Sequence, residues 1–232
     1  MKKYVLLNII YGIVLFLFIV SLSISIPIFC RFIHTLCIEP FHMVEELNSC
    51  SGQNYTFDDV VEAYNQLLDY CVFYKKFGAG KLLYQEEDIV HFEDCRKLFT
   101  INFCTMIVSF TTIVLFKIIE KKKRVIMFKP AMYLTTGILA IAFPIAIGAL
   151  CAINFEAAFY IFHKIFFFNK ANYGFDPYYN HIILILPSEF FMVCGIVIGV
   201  SIFIGAIILI FIFSTKRKKY LKVKRDYAIL NG

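Results

Sequence analysis

Residues 4–29 read YVLLNIIYGIVLFLFIVSLSISIPIF, a run of 26 residues without a charged side chain. A helix needs about 20 apolar residues to cross the hydrocarbon core of a bilayer, so this run predicts a membrane-spanning helix. Lys2 and Lys3 precede it, as in a signal peptide. Its apolar core is longer than the usual length of about 7–15 residues, however, and no Ala-x-Ala cleavage site follows. We therefore expect an uncleaved first helix.

Three further apolar runs, at 98–116, 130–155 and 190–215, are also long enough to span a bilayer. The 232-residue chain is 60% hydrophobic and 17% charged, which leaves too little polar surface for a soluble domain of this length. The sequence therefore predicts an all-α membrane protein with four transmembrane helices. In the last span, Gly195-x-x-x-Gly199 and Ser201-x-x-x-Gly205 predict a face of small residues for helix packing.

The basic residues predict the orientation of these helices. Residues 2–3, 117–129 and 214–232 fall on one side of the membrane and hold 15 of the 23 Lys and Arg residues but only two acidic ones. The opposite side holds the other eight basic residues and 15 acidic ones. The positive-inside rule then places both termini in the cytoplasm. This asymmetry indicates contact with anionic lipid, and nothing in it suggests binding to nucleic acid.

The chain is expected to divide into four spans, two outer loops, a cytoplasmic turn and a basic tail. The predicted segments are 1–29, 98–119, 130–154 and 190–213 for the spans, 30–97 and 155–189 for the outer loops, 120–129 for the turn and 214–232 for the tail.

The long outer loop carries a helical pattern. Residues 56–59 fit a capping box, and apolar residues follow them at helical spacing, which predicts an amphipathic helix over 57–75. A second helix is expected to begin near 85–88 and to run through His91 into the second span. The other outer loop, 155–189, is apolar, then polar, then apolar. That pattern predicts a re-entrant or interfacial segment too short to cross the membrane.

Two histidines at the ends of apolar runs are the main candidates for chemistry. His91 and His163 both fall on the predicted outer face, where two imidazoles suit acid–base catalysis on a lipid-borne substrate. Interfacial histidines without a catalytic role remain the alternative. On a helix, Asp94 and Cys95 share the face of His91, so Asp94 can orient that imidazole or form a plain surface pair with it.

Other polar residues of the outer segments have weaker claims. Asp176 either orients an imidazole or starts the Asp-Pro turn. Arg96, Lys97 and Lys164 either bind an oxyanion or a phosphate headgroup, or anchor helix ends at the interface. His181 is a weak candidate. The sequence contains no His-Glu-x-x-His or Cys-x-x-Cys motif, so we expect neither a metal nor another cofactor.

Four short strings resemble a known family: HFEDCRKLF at 91–99, FHKIFF at 162–167, DP at 176–177 and LPSEFF at 186–191. They are similar to the four-helix bacterial lipoprotein intramolecular transacylases. The resemblance implies an enzyme of the bacterial cell membrane, with its active site facing outward. Its partners would be membrane lipid and diacylglyceryl-modified lipoproteins. It would move the sn-2 acyl chain of such a lipoprotein onto the amino group of the same cysteine, giving the lyso form.

The chain keeps the residues expected to be catalytic in this family, namely His91, Asp94, His163 and Asp176. It departs from the family pattern at several neighbouring positions. Phe92 replaces Met, Cys95 and Arg96 replace Val and Lys, a Trp is expected near Tyr173, and an Asp is expected where Asn180 stands. Tyr173 is nevertheless a candidate substrate-binding residue, whereas no role is predicted for position 180.

The implied chemistry fits two histidines. Aminolysis of an ester needs a base for the amine and an acid for the departing glycerol oxygen, and two imidazoles can supply both without a nucleophilic serine or cysteine. Two alternatives stay open at this stage. One is a metal-dependent membrane hydrolase. The other is a non-enzymatic four-helix protein that binds a partner through its acidic outer loop.

Overall fold

A computed structural model of the chain describes residues 5–123, 127–167 and 176–230. Over these ranges the regular structure is entirely α-helical. The helices are α1 (Val5–Phe29), α2 (Phe32–Ile38), α3 (Met43–Ser51), α4 (Phe57–Phe73), α5 (Glu86–Lys123), α6 (Pro130–Ile153), α7 (Phe155–Phe166), α8 (His181–Leu184) and α9 (Ser188–Leu230). By length and composition α1, α5, α6 and α9 can each cross a membrane. The predicted all-α fold with four spans is confirmed.

Helix α5 joins the long loop to the second span without a break. It begins with three acidic residues, Glu86, Glu87 and Asp88, and ends with Lys121, Lys122 and Lys123. These charges oppose the helix dipole at both ends, which stabilises the termini. The helix that carries His91 is therefore the same one that continues as a span, as the sequence predicts.

Helix α4 begins at the predicted capping box. Thr56 Oγ1 accepts a hydrogen bond from the Asp59 N–H, while Asp59 Oδ2 accepts one from the Thr56 N–H at 2.9 Å. A hydrogen bond from Lys81, together with those from Thr56, lowers the pKa of Asp59. The helix ends at Phe73 rather than at 75, because Tyr74 adopts a left-handed conformation with φ of 56°.

The loop before α4 holds two short helices that its sequence pattern does not predict. Helices α2 and α3 have 7 and 9 residues, which is too short for a helix to be stable alone in water. Buried side chains on both helices pack into a core shared with α4, among them Ile38, Met43 and Leu47. Tertiary packing therefore stabilises this part of the loop.

The chain divides into two compact units. The span unit consists of Met1–Ser23, Cys104–Ala149 and Ile198–Gly232, and the loop unit of Ile24–Phe103 and Leu150–Val197. In the span unit, a Cβ added to Gly205 would lie 2.8 Å from Ile19 Cγ2. In the loop unit, a Cβ on Gly195 would meet no atom within 4 Å. Within the predicted small-residue face, Gly205 makes the close helix contact that this residue type allows.

Candidate active site

The loop unit brings His91 and His163 together. Their ring centroids are 6.1 Å apart, and the two ring planes are nearly parallel, at 14°. His91 lies on the second turn of α5, and His163 lies near the end of α7. The two residues are 72 positions apart in sequence, so their approach is a product of tertiary packing.

Phenylalanine rings surround the two imidazoles. Phe167 contacts both of them, with centroid distances of 4.9 Å to His91 and 5.3 Å to His163. Phe159 lies 4.2 Å from the ring of His163, and Phe92 lies 5.2 Å from that of His91. His91 is buried, whereas His163 is half-buried. The candidate site is thus apolar on several sides.

A backbone contact fixes the tautomer of neutral His163. Its Nδ1 lies 2.8 Å from the carbonyl oxygen of Phe159. A carbonyl oxygen can only accept a hydrogen bond, so Nδ1 must donate. In the neutral ring the lone pair is then on Nε2, which makes Nε2 the basic nitrogen.

The neighbours of His91 on α5 differ in part from the expected ones. Its Nε2 lies 3.6 Å from Cys95 Sγ, one turn further along the helix. The Asp94 carboxylate accepts a hydrogen bond from Lys97 Nζ at 3.0 Å, and the same ammonium lies 3.3 Å from Glu93. Lys97 is therefore paired with carboxylates of its own helix. The orienting role of Asp94 stays a prediction.

The other two predicted basic residues pack on aromatic rings. The Arg96 guanidinium lies 4.5 Å from the ring centroid of Tyr70 and 5.1 Å from that of Tyr74. Lys164 Nζ lies 5.0 Å from the ring of Tyr160 on the exposed surface of α7. Cation–π contacts of this kind hold a charged group against an apolar surface. Their role in substrate binding stays a prediction.

Asp176 is exposed and organises a turn. Its Oδ1 accepts a hydrogen bond from the Tyr178 N–H at 3.0 Å, and its carbonyl accepts one from the Asn180 N–H at 2.9 Å. This is the turn-starting role that Asp-Pro favours, and the catalytic role remains a prediction. Tyr173, the last predicted substrate-binding residue, lies outside the described residues.

Three polar residues that sequence reasoning rated low or overlooked are buried in the loop unit. Asn180 donates a hydrogen bond to Asp88 at 2.7 Å. His181 Nδ1 lies 3.0 Å from the Tyr55 hydroxyl, and His34 Nε2 lies 2.8 Å from the carbonyl oxygen of Ile185. Each bond joins segments far apart in sequence, so no local sequence pattern predicts it. Within the described ranges, no three His, Cys, Asp or Glu side chains group as metal ligands.

Comparison with known protein families shows which family the chain belongs to. The family profile described as lipoprotein intramolecular transacylase Lit matches residues 9–191 of the chain. The chain belongs to this family. As a lipoprotein intramolecular transacylase it is an integral membrane enzyme, so the non-enzymatic alternative is wrong. A comparison with curated proteins found no significant match.

Solved structures of a Lit transacylase share the fold. The in meso structure of the membrane-integral Lit from Bacillus cereus is 25% identical, with a TM-score of 0.83, and the match covers 95% of this chain and 99% of that one. Two structures of that protein with one histidine replaced, by Arg or by Ala, are each 24% identical. The structure with Arg has a TM-score of 0.78, and the match covers 96% of this chain and 95% of that one. The structure with Ala has a TM-score of 0.76, and the match covers 95% of this chain and 96% of that one.

Proposed function

We propose that this transacylase moves the sn-2 acyl chain of a diacylglyceryl-cysteine lipoprotein onto the amino group of the same cysteine. The reaction would take place at the outer face of the bacterial cell membrane. The observation that carries the proposal is the 6.1 Å approach of the His91 and His163 rings within a wall of phenylalanines. Two imidazoles at this distance can act on two atoms of one reacting ester.

The reaction needs one proton to move from nitrogen to oxygen. The cysteine amine forms an amide bond to the acyl carbon, the ester C–O bond breaks, and the glycerol oxygen leaves as an alcohol. We assign His163 as the base, because donation from its Nδ1 to the Phe159 carbonyl makes Nε2 the basic nitrogen of the neutral ring. His91 receives the amine proton from the His163 imidazolium and delivers it to the departing oxygen, so that both rings end in the protonation state in which they began.

The substrate brings its own donor and acceptor. Because both groups belong to one lipid-modified cysteine, much of the rate comes from holding them in a reactive geometry. The apolar rings of Phe167 and Phe159 suit an acyl chain, and the cations of Arg96 and Lys164 suit the polar end of the lipid. Exclusion of water by the rings would also protect the ester from hydrolysis.

The test is to replace each histidine by asparagine and to follow a reporter lipoprotein. Asparagine keeps a donor near the position of Nδ1 but has no basic nitrogen, so His91→Asn and His163→Asn should each lower lyso-lipoprotein formation by about 10²–10⁴-fold. The measurement is mass spectrometry of the reporter's N-terminal peptide, with the fragment ions locating the acyl chain.

His42→Asn is the matched control. His42 is exposed and has a left-handed backbone with φ of 49°, which asparagine tolerates. This variant should form the lyso product at the normal rate. All variants are compared at equal amounts of membrane-inserted protein. Normal product formation by His91→Asn or His163→Asn would contradict the proposed mechanism.

A further inference from the structure

Asp88 and Asn180 form a buried polar pair in the loop unit. Asn180 Nδ2 donates a hydrogen bond to Asp88 Oδ2 at 2.7 Å. Asp88 is 1% exposed and Asn180 is 6% exposed. A buried carboxylate is costly unless hydrogen bonds compensate for the lost water, and the contact with Asn180 offsets part of that cost.

Both partners are fixed by their own backbone surroundings. Asp88 Oδ2 also accepts a hydrogen bond from the Gln85 N–H at 2.8 Å, which caps the start of α5. Asn180 ends the turn organised by Asp176, and the next residue donates its N–H to the Leu83 carbonyl at 3.1 Å. The pair therefore joins the first turn of α5 to the segment that leads into α8.

The Asp88–Asn180 contact is linked to both candidate catalytic histidines. On one side, His91 follows Asp88 by one turn of α5, so the two side chains share a helix face. On the other side, the segment after Asn180 leads to Phe191, whose ring lies 5.0 Å from Phe159. Phe159 contacts the ring of His163 and accepts its hydrogen bond.

We propose that Asp88 and Asn180 are positioning residues that hold His91 in the correct position relative to His163. The proposal rests on the proposed function of the two histidines. Neither member of the pair touches the substrate. The contact holds the 180–191 segment on the helix of His91, and that segment packs against the helix of His163.

The proposal also explains why an amide stands at position 180 in this chain. Its partner is a carboxylate, and an aspartate at position 180 would put a second carboxylate within 2.7 Å of it. Two carboxyl groups at such a distance stay together only while they share one proton, and they repel each other when both are ionised. Among the described residues, the other titratable groups that act on Asp88 are Glu87 and His181. Asn180→Asp should therefore break the contact when both carboxyls are ionised and re-form it when one is protonated.

The experiment measures turnover of a reporter lipoprotein by the full-length protein in lipid vesicles, as a function of pH. Asn180→Asp should turn over about 10- to 100-fold more slowly than the wild type at neutral pH, since misplacement by about 1 Å costs that much. The deficit should shrink as the pH falls. Asn54→Asp, the same change at an exposed asparagine of the loop unit, should match the wild type at every pH.

Asp88→Asn supplies the second readout. This variant still offers a side-chain oxygen to Gln85 and Asn180, so it should be nearly as active as the wild type. Combined with Asn180→Asp it removes the paired charge. The double variant should lose the pH dependence and regain part of the activity. The recovery is partial because Asp88 Oδ2 accepts two hydrogen bonds, from Gln85 and from Asn180. An amide nitrogen at that position can donate to the new carboxylate but cannot accept the bond from Gln85.

Two results separate the possible failures. If Asn180→Asp matches Asn54→Asp at every pH, or if its deficit is independent of pH and unrelieved by Asp88→Asn, the positioning pair is wrong. If His91→Asn retains activity in the same assay, the proposed function itself is wrong. If Asn180→Asp inserts poorly into the membrane, the test is the pH profile of the double variant. A deficit in turnover that depends on pH in the double variant would contradict the proposal.

Discussion

His34 is held on three sides in the loop unit. Its ring stacks on Tyr64, with centroids 3.7 Å apart, and meets Phe190 edge-on at 5.1 Å. Nε2 donates to the Ile185 carbonyl, and among the described residues the buried Nδ1 has no hydrogen-bond partner. Protonation would place an unpaired N–H at that nitrogen. Burial accordingly lowers the pKa of His34 to about 4, although the bond to Ile185 opposes the shift.

This environment predicts a pH-dependent stability. Between pH 6.5 and about 4 the unfolded chain takes up a proton at His34 that the folded chain does not, so stability falls as the pH falls through this window, by roughly 3 kcal/mol. His34→Gln keeps a donor for Ile185 and cannot titrate. We expect the melting temperature of this variant in detergent to fall less between pH 7 and pH 5. An equal fall in both proteins would contradict the prediction.

At the level of helices, α1 and α9 pack closely at Gly205. Gly205→Ala would place its Cβ 2.8 Å from a branch methyl of Ile19, a contact too short to form unless the side chain or the helix shifts. Overpacking of this kind costs about 1–3 kcal/mol, so the variant should melt earlier in detergent. Gly195→Ala adds the same methyl where no atom lies within 4 Å. Equal melting of the two variants would show that Gly205 is not a close contact.

Some of the helices can be predicted from local sequence patterns, and others cannot. The spans are predictable because about 20 apolar residues in lipid must form a helix to pair their own backbone groups. Helix α4 is predictable because its capping box and apolar spacing are local. Helices α2, α3 and α8 have 7, 9 and 4 residues. Tertiary contacts rather than local preference stabilise them, so they could not be predicted.

For the whole molecule, the distribution of charge predicts a sidedness that places the loop unit outside the cell. Alkaline phosphatase fused after Tyr84 should be active, because that enzyme folds outside the cytoplasm. Green fluorescent protein fused to the C-terminus should fluoresce, because it folds inside. The 15 basic residues assigned to the inner side make this orientation favourable. The reverse pattern of activity and fluorescence would overturn the topology and, with it, the outward-facing site.

The amino-acid sequence is enough to predict the four membrane-spanning helices and to single out the two histidines worth testing. Both depend on local composition: long apolar runs, and polar residues where those runs end. Tertiary packing brings His91 and His163 together, buries His34 and allows Asn180 to bond to Asp88. These contacts join segments up to 151 residues apart. They depend on how short helices pack against one another, and no spacing along the chain records that packing.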